Sequence, residues 1–410
     1  MSTSTEGSWS QEPEATDAAP GARSGGSLLP DVEPIPGTGI LMHIGVHKTG
    51  TTAMQAALAD ARPELVERDI YYPGKRQAHH RAALAVLERT WGWKNQGGET
   101  YERSVFDSLA ERANRHIGRV VISSEFFCEA PAATVDEVVA ALGRDRVHVV
   151  VTLRNLGRLL PSTWQQYLKY GLATGYEKWL TSIFENPGQS SMTPTFWRRN
   201  DHGAVVDRWA SAVGPENVTV MVLEHVDRTA MFRAFAQLID LPPEVLISRM
   251  DLTSNRSMTV AEADFILELN RRVKADLTWD EYVKYIRRGV ALGMVEGREP
   301  RPEEARLHTP DWALDAAAEQ GRLAVDAIRA RGVRVLGDLD ALAVRVDSPP
   351  ATPASERGHL PLDAAAQAVI TVIEATRENP ELSVKELRTE LWQRTKDDMR
   401  LRWRLKSLRP

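Results

Sequence analysis

The run Gly45-Val46-His47-Lys48-Thr49-Gly50-Thr51-Thr52 packs two glycines, a lysine and three threonines into eight residues. Those types in that spacing suit the holding of an anion. Glycines let the backbone turn tightly, the amides of the turn point inwards, and a following helix adds free N–H groups and the positive end of its dipole. The order of the residues narrows the chemistry. A nucleoside-triphosphate loop reads G-x-x-x-x-G-K-[ST], with the lysine on the terminal phosphates and the next hydroxyl on magnesium. Here Lys48 precedes Gly50, so the Walker spacing fails. A lysine in that place stands on the rim of the loop, where it can stabilise charge on a leaving phosphate oxygen without a metal. A metal site has little to draw on, because the chain has one cysteine, Cys128, and no His or Cys set with zinc-ligand spacing.

The elements that must position this loop are readable from apolar pattern. Residues 40–44 form a short apolar run, a buried-strand signature. Met54, Ala57, Leu58, Ala61 and Leu65 then recur at helical spacing, so a helix starts near Thr51. Further strands are predicted at 119–124, 147–153 and 218–223, with helix-length stretches between them. Near-continuous apolar strands alternating with helices predict an α/β fold, a parallel central sheet with helices on both faces. Residues 260–346 read as mostly helical, 347–361 as a linker beginning Asp347-Ser348-Pro349-Pro350, and 362–410 as a helical tail with a basic end. Residues 1–38, rich in Ser, Gly, Pro and acids, read as a disordered arm. Pro161 predicts a bend or a late start in the helix after the third strand.

Composition excludes several classes. Lys plus Arg number 51 and Asp plus Glu 56, a net charge of −5, so no protein-wide basic field for nucleic acid is expected. No apolar run approaches the ~18 residues that would span a bilayer. The N-terminus lacks a signal-peptide pattern, and a cytoplasmic protein is the expectation.

The loop resembles the 5′-phosphosulfate-binding loop of sulfotransferases that use 3′-phosphoadenosine 5′-phosphosulfate (PAPS). Those loops read PKTGTT or TKTGTT, and this one reads His47-Lys48-Thr49-Gly50-Thr51-Thr52. The longer pattern H-x-G-x-x-K-T-G-T-T, from His43 to Thr52, is similar to bacterial members. In that family the 3′-phosphate is held by an arginine at a strand end and a serine eight positions later. Arg154 and Ser162 stand in those places. A weaker likeness is Asn255-Arg256-Ser257 before a late helix, which makes Arg256 and Ser257 candidate nucleotide contacts. An N-cap at Ser257 or Thr259 is the competing reading. The resemblance spans residues 39–275.

What the resemblance implies is a P-loop NTPase-like sulfotransferase fold and in-line transfer of a sulfuryl group from PAPS, leaving PAP. The acceptor would be a hydroxyl or amine of a carbohydrate, lipid or secondary metabolite, with no metal required. Lys48 would face the leaving phosphate, and Lys48, Thr49, Gly50, Thr51, Thr52, Arg154 and Ser162 would bind the donor. Glu125, after the second strand and beside Phe126 and Phe127, is the candidate base, with an expected raised pKa. His47 is its first rival, followed by His79 and His80, while His43 and His148 lie within strands as packing residues. Trp91, Trp93, Trp164, Trp179, Trp197 and Trp209 read as core before they read as acceptor stacking, and residues 169–200 as an acceptor loop or lid. Two other readings stay open: a P-loop kinase or NTPase, and a non-catalytic PAP-binding interaction protein.

Overall fold

The computed structural model describes residues 32–185, 191–224, 228–250, 256–351 and 359–377. Six strands form one sheet: β1 (Ile40–His43), β2 (Ile70–Tyr71), β3 (Arg119–Ser123), β4 (Val147–Leu153), β5 (Val218–Val222) and β6 (Arg334–Leu336). Their order is β2-β3-β1-β4-β5-β6, and every pairing is parallel. From β1 the chain crosses to β2 at one edge, returns through β3, and then passes over β1 to β4, β5 and β6, so the strand order reverses between β3 and β4. In open parallel sheets of this kind, the crevice at such a reversal, outside the carboxyl ends of the strands, is where ligands bind. Both the loop after β1 and Arg154 after β4 emerge there.

Side chains alternate along each strand between two apolar cores. Ile40, Met42, Val120, Ile122, Val149, Val151 and Val220 face the helices Ser104–Arg115, Ala132–Leu142, His202–Val213 and Asp311–Arg331. Leu41, Val121, Val150 and Met221 face Thr51–Asp60 and Arg228–Leu238. Burial on both faces is why these strands read as unbroken apolar runs. A third core lies outside the sheet. It joins Leu156–Leu168, Tyr176–Phe184, Val260–Val273, the helical stretch from Trp279 to Glu296 and Leu362–Arg377.

Several expectations change. The two edge strands, β2 and β6, are two and three residues long, too short to carry a period. Order extends back to Val32: Val32 and Ile35 are buried, and the Ile35 amide donates to the Leu238 carbonyl at 2.9 Å. Residues 1–31 of the expected arm lie outside the described residues. So do 352–358 of the expected linker and 378–410 of the expected tail. The helix Leu362–Arg377 is no detached tail, since Ala364 and Ala368 are buried in the third core. The helix after β4 starts at Leu156, not late, with Pro161 inside it. Much of 169–200 is packed helix, with Trp179 and Phe196 fully buried, so it is not a free lid. Trp164, Trp179 and Trp209 are core residues, the first of the two readings of their type.

Gly45, at the exit of β1, is set by close approach. A Cβ there would stand 1.8 Å from Thr152 Oγ1 and 3.1 Å from His43 Nε2. Gly45→Ala should therefore destabilise the fold by roughly 1–3 kcal/mol, the usual range for overpacking. Urea titration checks this, and an unchanged midpoint would mean that the junction between strand and loop is free to shift.

Candidate active site

The loop between β1 and the helix Thr51–Asp60 is held open by backbone conformation. Lys48 has φ 69° and Gly50 φ 76°, both left-handed. Glycine adopts this freely, but a lysine does so at a cost of order 1–3 kcal/mol, which the surroundings must cover. They do so through Thr49. Its hydroxyl donates to the Val46 carbonyl at 2.7 Å and meets Thr152 Oγ1 at 2.7 Å. The Thr49 side chain thus points into the protein, leaving only its backbone for a ligand. The helix that follows has no side-chain cap and no acid in its first turn. Its N-terminus is free to meet an anion.

A buried polar seam continues beneath the loop. Because Thr49 donates to Val46, Thr152 must donate to Thr49 and accept from His43 Nε2, 3.5 Å away. His43 Nδ1 then accepts from Ser123 Oγ at 3.0 Å, and Ser123 accepts from Gln55 Nε2 at 3.2 Å. Gln55 also donates to Glu125 Oε2 at 3.1 Å. Burial lowers the His43 pKa to about 4, so the imidazole is neutral, as this directed chain requires.

Glu125 opens the short helix after β3, and its side chain is mostly buried. The carboxyl is not raised, as Phe126 and Phe127 led one to expect. Burial pushes it up, but His80, His47 and hydrogen bonds from its own amide and Gln55 outweigh that, and it lies below the usual carboxylate range. His80 Nδ1 is 3.7 Å from Glu125 Oε2 and 2.9 Å from Ser124 Oγ. His79 is set apart from the chemistry. The Ser123 amide donates to its Nδ1 at 3.0 Å, so Nε2 carries the proton and donates to the Pro73 carbonyl at 3.0 Å. Burial takes its pKa to about 4.

His47 is tied to a second charged cluster. Its Nε2 lies 3.3 Å from Glu129 Oε1, and burial, reinforced by Arg199, lowers its pKa. Glu129 also pairs with Arg199 at 2.7 Å and with Arg89. Burial would raise its carboxyl, yet Arg199, His47 and Arg89 hold it at about 2.

Lys48 leans away from these acids. Its Nζ donates to Gln166 Oε1 at 2.8 Å, and crowding by protein lowers its pKa, with Arg287 adding to this and Glu125 opposing it. Gln166 lies on the same helix as Ser162, one turn further on. Arg154, at the carboxyl end of β4, and Ser162, on the next helix, are not bonded to each other. Arg154 Nε is 3.6 Å from Glu224, and Ser162 Oγ donates to the Leu159 carbonyl at 3.0 Å. Arg158 joins them, 2.9 Å from the same Glu224. Arg256 stands elsewhere in function: its guanidinium grips Glu262 with two bonds, at 2.7 and 2.8 Å, and donates to the Met294, Arg298 and Ser257 carbonyls. It has no N–H left for a nucleotide. Ser257 is exposed and caps nothing; Thr259 caps the helix, with Glu262 completing a capping box. Asn255 lies outside the described residues.

The sequence reading missed Gln55, Glu129, Gln166, Lys169, Tyr170 and Arg287. Gln166 was reachable, being four residues after Ser162 on a helix; the others carry no local signal. Among the described residues, no three His, Cys, Asp or Glu side chains gather in a metal-binding group, and no helix is long and apolar enough to cross a membrane.

No protein-family model matches the chain. No curated protein sequence matches it either. Among solved structures, it is similar to a sulfotransferase from Alicyclobacillus acidocaldarius, at 17% identity and a TM-score of 0.37. That likeness covers 57% of this chain and 94% of the other.

The Glu129 cluster generates a stability test. Glu129→Gln strips the counter-charge from buried Arg199, which should cost roughly 3–5 kcal/mol at pH 7. The wild-type carboxylate is depressed in the folded state, so its contribution is full above about pH 4.5 and fades as pH falls towards 2. The gap in melting temperature between the two proteins should narrow from pH 5 to pH 3. A constant gap would show that packing, not charge, sets the difference.

Proposed function

We propose that this protein transfers a sulfuryl group from PAPS to an acceptor hydroxyl. One observation carries the reading. A single helix, Leu156–Leu168, follows Arg154, bears Ser162 and holds Lys48 through Gln166. It therefore ties a cation on the rim of the anion loop to guanidinium and hydroxyl groups suited to a second phosphate. PAPS carries both anions, a 5′-phosphosulfate and a 3′-phosphate, and its sulfuryl group is transferable without a metal.

The residues fit that donor. The loop amides and the uncapped helix N-terminus receive the 5′-phosphosulfate. Arg154 and Ser162, with Arg158 beside them, receive the 3′-phosphate, Ser162 turning its proton from Leu159 to do so. Lys48 then faces the oxygen on which charge grows as the S–O bond breaks, and a fixed cation there is worth far more to the transition state than to the ground state. Glu125 takes the proton of the attacking hydroxyl. Its carboxyl is held below the usual carboxylate range, so it is ionised and ready as an acceptor throughout the neutral range, and Gln55 and His80 hold it in place. His47, engaged by Glu129, and His79, with both nitrogens bonded, are less free to serve; His80 is the rival that remains.

Three results test this. Lys48→Ala should lower kcat by about 100- to 1000-fold, the range for removing one charge-stabilising group. Glu125→Gln should lower it by about 100-fold or more; if His80→Asn does so and Glu125→Gln does not, the base is His80. Calorimetry should find that PAP binds at least tenfold more tightly than AMP, and that Arg154→Ala removes the difference. Equal binding of PAP and AMP by the wild type would overturn the reading.

A further inference from the structure

We infer that the acceptor carries a negative charge of its own, a carboxylate or sulfate, held by Lys169 and Arg287 at the end away from the reacting hydroxyl. This rests on the transfer reading above and names the class of its acceptor.

The argument begins with charge pairing. Four inward-facing arginines elsewhere are matched by acids: Arg199 and Arg89 by Glu129, Arg256 and Arg298 by Glu262. Around the loop the pattern stops. Lys48 has Gln166 as its partner, and Arg287 has the Tyr170 hydroxyl at 3.2 Å. Among the described residues, the Lys169 side chain has no ion-pair or hydrogen-bond partner. Lys48, Lys169 and Arg287 nonetheless lie close enough to repel one another, and burial together with that repulsion brings the Lys169 pKa down to about 8. Glu125 and Glu296 act on the group only through space. A crowded, unpaired cation cluster is what an anionic ligand would complete.

The donor does not account for all three. Its anions are met by the loop, Lys48, Arg154 and Ser162. Lys169 lies seven residues past Ser162, about 10 Å further along the helix axis at 1.5 Å per residue, on the far side of Gln166. Arg287 comes from a separate element, a π-helical stretch, Tyr282–Leu292. Such wide turns often mark functional positions.

The position of Arg287 places it on the acceptor side. Its guanidinium stacks over Tyr170 at 4.6 Å and lies 5.8 Å from the Trp91 ring. Trp91 meets Phe126 edge-on at 5.5 Å, and Phe126 in turn meets His80 and His47, each at 5.2 Å. Phe126 adjoins Glu125. An acceptor whose hydroxyl reaches Glu125 therefore runs along Trp91 and Tyr170, rings suited to a sugar face or an aryl group, with Arg287 and Lys169 at its far end.

The test uses the full chain and three probes: 4-nitrophenyl β-D-glucuronide, the 6-O-sulfated 4-nitrophenyl β-D-glucoside, and the neutral glucoside. Binding is measured by calorimetry with and without PAP. The expected result is at least tenfold tighter binding of one or both charged probes than of the neutral one; the probe that leads tells carboxylate from sulfate. Lys169→Met and Arg287→Met should each reduce that preference about fivefold or more, and Arg287→Lys should restore part of it. Thermal melts confirm folding, with Lys169→Gln and Arg287→Gln as replacements for a variant that unfolds. Equal binding of all three probes, failure of both charged probes to bind at 10 mM, or a preference untouched by the variants would overturn the inference. Failure of PAP to bind would remove the transfer reading alone, because the preference for charged probes is also measured without PAP.

Discussion

The site depends on one anchored side chain, Thr49. Two residues of the loop, Lys48 and Gly50, adopt left-handed backbone, and the residue between them is fastened to β4 through Thr152 and to the loop's own Val46 carbonyl. Without that anchor, a lysine in left-handed backbone would relax to an ordinary conformation and leave the rim of the loop. The anchor in turn needs Gly45, because any larger residue would displace Thr152. The same hydroxyl seam runs through His43 and Ser123 to Gln55 and Glu125. Lys48, through its neighbour Thr49, and Glu125, the two groups to which the proposal gives the leaving group and the acceptor proton, are thus tied to one chain of hydrogen bonds. In a low-dielectric interior each link in such a chain strengthens the next, and each is costly to break.

Two treatments of charge lie side by side around this seam. Beneath Phe126, Glu129 is surrounded by Arg199, Arg89 and His47, and the charges there are matched and buried. Such a cluster fixes geometry, and it keeps His47 turned from the loop. Above it, at the carboxyl ends of the strands, Lys48, Lys169 and Arg287 stay unmatched by any bonded acid among the described residues. The contrast is physical: matched charges hold the scaffold, and unmatched ones leave a positive field where an anionic donor and acceptor would meet.

The two halves of the site come from different cores. The loop, Glu125 and Arg154 stand on the sheet, whereas Tyr170, Arg287 and Lys169 belong to the helical layer built around Trp164, Trp179, Trp279 and Tyr282. Leu156–Leu168 bridges them. Leu159 packs against the sheet, and Leu156, Leu160, Trp164 and Leu168 pack in the helical core. Contacts such as Trp93 Nε1 to the Tyr170 carbonyl at 2.9 Å hold the far wall in register with the loop.

The sequence alone determined the local features. Apolar runs buried on both faces marked four of the six strands and hence the parallel sheet. The order of glycine, lysine and threonine marked a loop suited to an anion, and an N-cap at Thr259 was among the readings for its segment. These are legible because their causes lie within a few residues: alternation, periodicity, a cap, a turn. Tertiary structure decided everything that depends on who meets whom. It turned Glu125 from a carboxyl expected above its usual range into one below it, by bringing His80 and His47 to it. It removed Arg256 from the site by giving it Glu262, and it delivered Arg287 to Tyr170 across a second core. No spacing in the chain encodes those encounters, because a charge's behaviour is set by its neighbours in space and the fold alone chooses them.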